Sequence, residues 1–281
     1  MVDCHIHMVL DGEYWRSAIA RHALGPDVPW IRNVLEQYQK AGFTWLRDCG
    51  DRWGVGEKAR QLAPEYGITY RTPLASLYKK GHYGGIIGLP FENEREFLAL
   101  VRENKARGAD FIKIMISGLM DFDRFGVLTE EGLEPEEIRK LIHIVHEEGM
   151  AVAVHGNGTR NVLAAAEAGV DSVEHGAYLN GEALQAMKEA GTVWVPTVST
   201  IGNLRGKGRF DDAAVERILE SALENIQTFA AIGGLIAPGT DAGAWQVPHS
   251  IGSEFALLRQ ALEASTDTVL SKGIETIRKK F

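Results

Sequence analysis

The first seven residues, Met1-Val2-Asp3-Cys4-His5-Ile6-His7, form a strand pattern that carries two histidines one residue apart. Side chains alternate between the two faces of a strand, so Asp3, His5 and His7 are predicted to share one face. Two imidazoles at positions i and i+2 can bind one metal ion together, and Asp3 below them is placed to accept a ring N–H. Many strands carry His-x-His for other reasons, so its meaning depends on the rest of the chain.

The rest of the chain repeats one unit, which consists of an amphipathic helix, a glycine and a short strand rich in β-branched residues. Glycine is favoured just past a helix C-terminus because it enters the left-handed backbone region without a Cβ clash. Together with the N-terminal strand, the repeat predicts eight strands, at residues 1–7, 44–48, 68–71, 111–115, 151–155, 170–175, 193–196 and 235–241. Eight such units in one chain indicate an α/β protein, a closed (β/α)₈ TIM barrel.

Helical patterns are predicted at residues 30–41, 92–107, 135–148, 161–168, 181–190, 211–232, 253–264 and 266–280. The loops that lead from strands to helices are long, at roughly residues 8–29, 76–91, 117–134 and 197–210. The turns that lead from helices back to strands are short. In a barrel the long loops crown the C-terminal face, so we expect the chemistry there.

Length and composition are those of an ordinary globular protein. The chain has 281 residues, 45% of them hydrophobic and 24% charged, with no internal linker, and we expect residues 1–281 to form a single barrel domain. The net charge of -8 argues against nucleic acid as a partner. No apolar run approaches the ~20 residues of a membrane span, and there is no signal-peptide pattern. Cys4 and Cys49 are expected to be reduced thiols, which fits a cytoplasmic protein.

Polar residues stand at the C-terminal ends of five predicted strands, and all would project toward one mouth of the barrel. A single histidine at a strand end is ordinarily satisfied by hydrogen bonds. Four imidazoles and a carboxylate at the same end are instead typical of a metal site. The residues are His5, His7, Lys113, His155, His175 and Asp241.

The order of motifs resembles the amidohydrolase superfamily over nearly the whole chain. The spacing is most similar to the branch that contains metal-dependent prolidases, acyl-amino-acid carboxypeptidases and imidazolonepropionase-like enzymes. The motifs that carry this resemblance are Asp3-Cys4-His5-Ile6-His7, residues 42–48, residues 108–114, Val154-His155-Gly156, Ser172-Val173-Glu174-His175-Gly176, Pro196-Thr197 and Gly239-Thr240-Asp241-Ala242-Gly243.

The resemblance implies a binuclear metal centre. One ion would be held by His5, His7 and Asp241, and the other by His155 and His175. A lysine ammonium has no lone pair for a metal, so Lys113 would bridge the ions as a carbamate formed with CO₂. The expected ions are two Zn²⁺, with Mn²⁺ and Fe²⁺ as alternatives. Without a use, a lysine between Ile112 and Ile114 on a buried strand would be costly.

Asp241 is the expected catalytic base, which takes a proton from the attacking water and delivers it to the leaving nitrogen. The predicted function is a metal-dependent amidohydrolase that cleaves an amide-type C–N bond of an N-acyl amino acid, a dipeptide or a cyclic amide. Two alternatives stay open: a metal-dependent lactonase or phosphotriesterase, and a catalytically silent barrel that acts as a binding protein. Asp3 and Glu174 could orient the metal ligands by hydrogen bonds, although Glu174 alternates away from His175 and could instead pair outside the site.

The expected partner is a small molecule that carries a carboxylate; the sequence leaves a homo-oligomer open. Basic residues in two long loops predict a positive rim, through Lys79, Lys80 and His82 in one loop and Arg205, Lys207 and Arg209 in the other. The residues predicted to touch substrate are His82, Tyr83, Arg205 and Arg209.

One departure from this branch lies at the two ends of the sequence. Relatives usually have strands before the His-x-His strand and after the barrel, which form a small β-sandwich. This sequence starts at the motif and stops after one helix at Phe281. We therefore expect a barrel without the usual sandwich, either as a barrel-only member or as a piece of a longer protein.

Overall fold

The computed structural model describes residues 1–281. Ten short strands run through the chain, and every pair that forms between them is parallel. They are β1 Val2–Ile6, β2 Trp45–Asp48, β3 Thr69–Arg71, β4 Leu77–Lys79, β5 Leu89–Phe91, β6 Ile112–Met115, β7 Val152–Gly156, β8 Ser172–His175, β9 Val193–Val195 and β10 Leu235–Ile236.

Eleven α-helices connect the strands. They are α1 Trp15–Arg21, α2 Val28–Lys40, α3 Val55–Leu62, α4 Glu94–Ala106, α5 Pro135–Glu147, α6 Thr159–Glu167, α7 Gly181–Ala190, α8 Ser199–Gly202, α9 Asp212–Ala231, α10 Ser253–Leu262 and α11 Thr266–Lys280. The eight predicted helices are all present. The helices α1 and α8 lie in segments that were expected to be loops, and α3 lies in a segment for which no helix bounds were predicted. None of the helices is long and apolar enough to span a bilayer.

The hydrogen-bonded order is β1-β2-β3 in one run and β10-β9-β8-β7-β6-β4-β5 in the other. The segment from β3 to β4 joins the two runs, because β3 pairs with β2 while β4 pairs with β6. Between them the backbone turns at Leu74, which has φ 62°. We therefore count β3 and β4 as one interrupted strand, and β5 as an extra strand outside the eight.

Backbone hydrogen bonds also join the two ends of this order. Cys4 N donates to Pro238 O at 2.8 Å, Asp241 N to His5 O at 2.8 Å, and His7 N to Ala242 O at 2.7 Å. The predicted (β/α)₈ barrel is confirmed. The last strand is shorter than the predicted 235–241, because Pro238 has no N–H to continue a regular ladder.

A register shift interrupts the pairing of β1 with β2 between Asp3 and Ile6. Cys4 therefore packs in a buried cluster with Trp45 and Ala153, although alternation had placed it on the face opposite the histidines. The prediction that Asp3, His5 and His7 share one face is wrong for Asp3, because a bulge changes the alternation of a strand.

The floor of the barrel is closed by the C-terminal helix. Phe281, just after α11, packs at a ring-centroid distance of 5.1 Å from Phe111. The guanidinium of the fully buried Arg47 lies 4.6 Å from the centroid of the Phe281 ring. Arg47 thus places a positive charge inside the barrel, below the C-terminal mouth.

Candidate metal centre and substrate cavity

A cavity of about 550 Å³ opens at the C-terminal ends of the strands. The long strand-to-helix loops form its walls, as expected from their lengths. All six residues predicted as metal ligands line it: His5, His7, Lys113, His155, His175 and Asp241. The structure thus brings together side chains from five strands that are up to 236 residues apart in the chain (241 − 5).

Three polar residues at strand ends adopt left-handed backbone conformations. The φ angles are 70° at His175, 50° at Thr197 and 57° at Asp241. Such conformations cost free energy for residues other than glycine, and they concentrate at functional sites. At His175 the turn is held by Trp194, whose Nε1 donates to His175 O at 2.9 Å. The change of backbone conformation lets His175 line the cavity although its neighbour Glu174 also faces the barrel interior.

Glu174 is fully buried and connects the barrel floor to the cavity. Nδ1 of His5 donates to Glu174 Oε2 at 2.6 Å, and Nη2 of Arg47 donates to Glu174 Oε1 at 2.7 Å. Ser172 Oγ donates to the same Oε1 at 2.6 Å. Of the two roles predicted for Glu174, the structure has the orientation of a ligand rather than pairing outside the site, because even-numbered residues of β8 point into the barrel. It is Glu174 that accepts the ring N–H of His5.

Asp3 instead supports the loop that carries Asp241. Its Oδ1 accepts from Thr240 N at 2.9 Å and its Oδ2 accepts from Thr240 Oγ1 at 2.6 Å. Oδ1 also accepts from His5 N at 3.2 Å. Burial raises the pKa of Asp3 to about 7. Asp3 therefore does not accept the predicted hydrogen bond from an imidazole N–H. It accepts instead from the backbone of His5 and from the backbone and hydroxyl of Thr240.

His155 and His175 also have one ring nitrogen engaged. His175 Nδ1 lies 2.8 Å from Thr197 Oγ1, and His155 Nε2 lies 3.3 Å from the carbonyl oxygen of Gly118. The rings of His155 and His175 are 4.4 Å apart between centroids. A hydrogen bond at one ring nitrogen sets the tautomer and the orientation of the other.

These imidazoles are neutral at physiological pH. Burial, and after it the charge of Lys113, lowers the pKa of His155 to about 3. Burial likewise holds the pKa values of His5 and His175 well below the ordinary value. A neutral imidazole carries a free lone pair, which is the form that binds a metal ion.

The arrangement of the donor atoms suits a shared divalent metal ion better than hydrogen bonds between the side chains. His7 Nε2 and His5 Nε2 lie 3.2 and 3.4 Å from Asp241 Oδ1. Yet His5 Nε2, Asp241 Oδ1 and the Nζ of Lys113 are all buried without a hydrogen-bond partner. One donor atom each from His5, His175 and Asp241 also lie within 4.8 Å of one another. Buried polar atoms without a partner are costly, and a shared cation would satisfy them.

Two of the four residues predicted to touch substrate line the cavity. The ring of Tyr83 stacks on His155 at 4.7 Å between centroids, and the guanidinium of Arg209 lies 4.3 Å from the ring centroid of Trp245. His82 and Arg205 do not line it. His82 Nδ1 lies 3.4 Å from Glu130, and Arg205 Nε lies 2.8 Å from Glu216, so both are directed to acidic partners.

The expected positive rim is correspondingly weaker. Lys79 pairs with Glu137 at 2.7 Å, and Lys80 pairs with Glu92. Neither lysine lines the cavity, and Lys207 is exposed outside it. The cations that do line it besides Lys113 are Arg209 and Arg16, and sequence reasoning missed Arg16.

Apolar side chains from the long loops form most of the remaining wall. Half of the 28 lining residues are hydrophobic, among them Leu10, Tyr14, Trp15, Met115, Met120, Phe122, Phe210 and Trp245. The aromatic content of the segments 8–29 and 197–210 was a usable signal in the sequence, because large apolar residues in long barrel loops have few other places to pack.

Comparison with known proteins agrees with the sequence motifs. The amidohydrolase family model matches residues 1–278. The ochratoxinase of Aspergillus niger is 26% identical over an alignment 309 positions long, which covers 94% of this chain and 62% of that protein. An uncharacterized protein of Mycobacterium tuberculosis is 26% identical over 80% of this chain and 61% of its own length. The chain thus spans about three fifths of the length of these curated relatives.

Solved structures share the fold. A Xaa-Pro dipeptidase with bound methionine is 23% identical, with a TM-score of 0.79 over 100% of this chain and 75% of that one. A prolidase complexed with N-methylphosphonate-L-proline is 21% identical, with a TM-score of 0.78 over 99% of this chain and 74% of that one. With the family model matching residues 1–278 and the barrel in place, the resemblance seen in the motifs is confirmed, and the chain belongs to the amidohydrolase family.

Proposed function

We propose that this chain is a metal-dependent hydrolase that cleaves an amide-type C–N bond of a small molecule. The observation that carries the proposal is the group of buried donor atoms without partners at the cavity floor, on His5, Lys113 and Asp241. When bound, a pair of divalent ions supplies a nucleophile at neutral pH by lowering the pKa of water, and polarises the scissile carbonyl.

In this proposal one ion would be held by His5, His7 and Asp241, and the other by His155 and His175. Zn²⁺ suits the imidazole-rich set, with Mn²⁺ and Fe²⁺ as alternatives. Glu174 keeps the proton of His5 on Nδ1, so that Nε2 faces the cavity with its lone pair.

Lys113 joins the two halves of the site as a carbamate. Its side chain is buried, and its Nζ has no hydrogen-bond partner. A buried ammonium in this position is costly. The ammonium would first lose a proton; the amine nitrogen would then add to the carbon of CO₂ with loss of a second proton, which gives an anionic carbamate with two oxygen donors.

Asp241 moves the proton. Its carboxylate stands at the cavity floor beside His5 and His7, on backbone held by Thr240 and Asp3. It accepts a proton from the attacking water and returns it to the leaving nitrogen, which otherwise departs as an unstable amide anion.

The substrate is an N-acyl amino acid, a dipeptide or a cyclic amide, and the cavity favours one with a bulky apolar part. A volume of about 550 Å³ and walls of aromatic and aliphatic side chains accommodate such a group. Arg209 is placed to pair with a carboxylate at the rim. A dipeptidase and a prolidase among the structural relatives support the same bond type.

Cys4 and Cys49 are free thiols, which supports a cytoplasmic location.

The experiment is metal analysis followed by a substrate screen. The purified protein, loaded with Zn²⁺ or Mn²⁺, is assayed on N-acyl amino acids, dipeptides, cyclic amides, lactones and phosphotriesters. The proposal expects about two equivalents of metal per chain and turnover of an amide. Turnover of lactones or phosphotriesters alone would assign the alternative hydrolase, and absence of bound metal would indicate a binding protein.

A further inference from the structure

Cys49, which follows β2, lies next to the two histidines of β1. Its sulfur and one nitrogen each of His5 and His7 are within 4.8 Å of one another. The backbone fixes this arrangement, because Cys49 N donates to Ile6 O, between the two histidines, at 2.9 Å. Cys49 is 1% exposed and forms no disulfide.

The neighbouring imidazole atoms point to a shared ligand. His5 Nε2 is buried without a hydrogen-bond partner, and the side chain of His5 is 1% exposed. Glu174 occupies the other nitrogen of His5 at 2.6 Å. Two nitrogen donors and one sulfur donor therefore face a common space, which is the N/S donor chemistry of a zinc site.

We propose that Cys49 is a thiolate ligand of the ion that His5 and His7 hold, and that it gives the site a preference for thiophilic ions over hard ones. This inference rests on the metal centre of the proposed function. Thiolate and imidazole donors favour Zn²⁺, Co²⁺ and Cd²⁺, whereas carboxylate and carbonyl oxygens suit Mn²⁺ and Mg²⁺. The thiol proton leaves to solvent as the ion binds.

The first test needs no substitution. X-ray absorption spectroscopy at the zinc edge of the loaded wild-type protein should show a sulfur neighbour at about 2.3 Å, beyond the nitrogen shell at about 2.0–2.1 Å. With Co²⁺ in place of Zn²⁺, the same ligand should give a sulfur-to-cobalt charge-transfer band in the near ultraviolet. Bound metal without either sulfur signal would overturn the assignment.

Substitution then identifies the sulfur. Cys49→Ser should lose both signals and lower the preference for Zn²⁺ over Mn²⁺ by roughly tenfold or more in a competition measured by metal content. Cys4→Ser is the matched control, since Cys4 is the other buried free thiol, and it should keep the signals and the preference. Signals that persist in Cys49→Ser would contradict the proposal.

The two proposals fail differently. If the wild-type protein binds metal through nitrogen and oxygen donors alone, Cys49 is not a ligand, and the proposed hydrolase site stands without it. A protein that binds no Zn²⁺ or Co²⁺ contradicts the metal centre itself, and the Cys49 ligand with it.

Discussion

Nδ1 of His5 lies 2.6 Å from Oε2 of Glu174, and this buried contact determines which ring nitrogen of His5 faces the cavity. The same carboxylate accepts from Arg47 at 2.7 Å, so its charge is balanced inside the barrel. A carboxylate that orients a ligating histidine typically contributes strongly to metal affinity. The floor of the barrel therefore supports the proposed metal centre, although it contributes no ligand.

We expect Glu174→Gln to weaken metal binding by roughly 10–100-fold, because the amide is a poorer acceptor for His5 and leaves Arg47 without a buried anion. Metal affinity, measured by competition with a chromogenic chelator, checks this. Glu182→Gln, on an exposed position of α7, is the control and should bind metal as the wild type does. Equal metal affinity in both variants would show that Glu174 does not contribute to metal binding.

Lys113→Ala should lose most metal and activity, since it removes the group proposed to join both ions. Short carboxylic acids added to this variant should restore part of the activity by supplying an anionic oxygen ligand. The wild type should show a branched density at the lysine terminus in an experimental structure. A bare ammonium beside two bound metals would rule out the carbamate.

Asp241→Asn should abolish turnover while the fold remains, because the amide keeps the shape of the side chain but cannot accept the proton. The measurement is kcat together with thermal unfolding. If the variant retained more than about a tenth of kcat, equivalent to about 1.4 kcal/mol, Asp241 would not be the essential base.

Arg209→Ala should lower kcat/KM for a substrate with a free carboxylate and leave its neutral amide analogue nearly unchanged. Arg209 lines the cavity over Trp245, whereas Arg205 is paired with Glu216 outside it. Arg205→Ala is therefore the matched control and should behave as the wild type. The preference should shrink with added salt, since it arises from charge.

Glu254→Gln should stabilise the protein increasingly as the pH rises. Burial raises the pKa of Glu254 from 4.5 to about 8, and its Oε1 has no partner, while Oε2 accepts from Ser199 N at 2.7 Å. Between these pH values the unfolded chain releases the proton that the folded protein keeps, so the free energy of unfolding of the wild type falls as pH rises. Each pKa unit is worth about 1.4 kcal/mol.

Denaturant unfolding at pH 5 and pH 8 checks this prediction. The variant and the wild type should differ little at pH 5, and the variant should be the more stable at pH 8. An advantage that is the same at both pH values would show that Glu254 is ionised in the folded protein.

The sequence by itself was sufficient for the barrel and for the members of its cavity floor. The recurring glycine before seven strands, together with the N-terminal strand, marks the eight units. His155 or Asp241 at a predicted strand end needs only the parallel direction of the strands to reach the common mouth. These features are periodic and local, so they can be read without knowing any distant contact.

Only the tertiary structure decided which side chains support the site. The bulge in β1 moves Cys4 inward and Asp3 toward Thr240, and the positive φ of His175 lets that residue line the cavity beside Glu174. The pairing of Arg205 with Glu216, and of His82 with Glu130, likewise removed two predicted substrate contacts. A register shift, a single backbone angle and an ion pair each depend on neighbours brought together by folding, which periodicity does not encode.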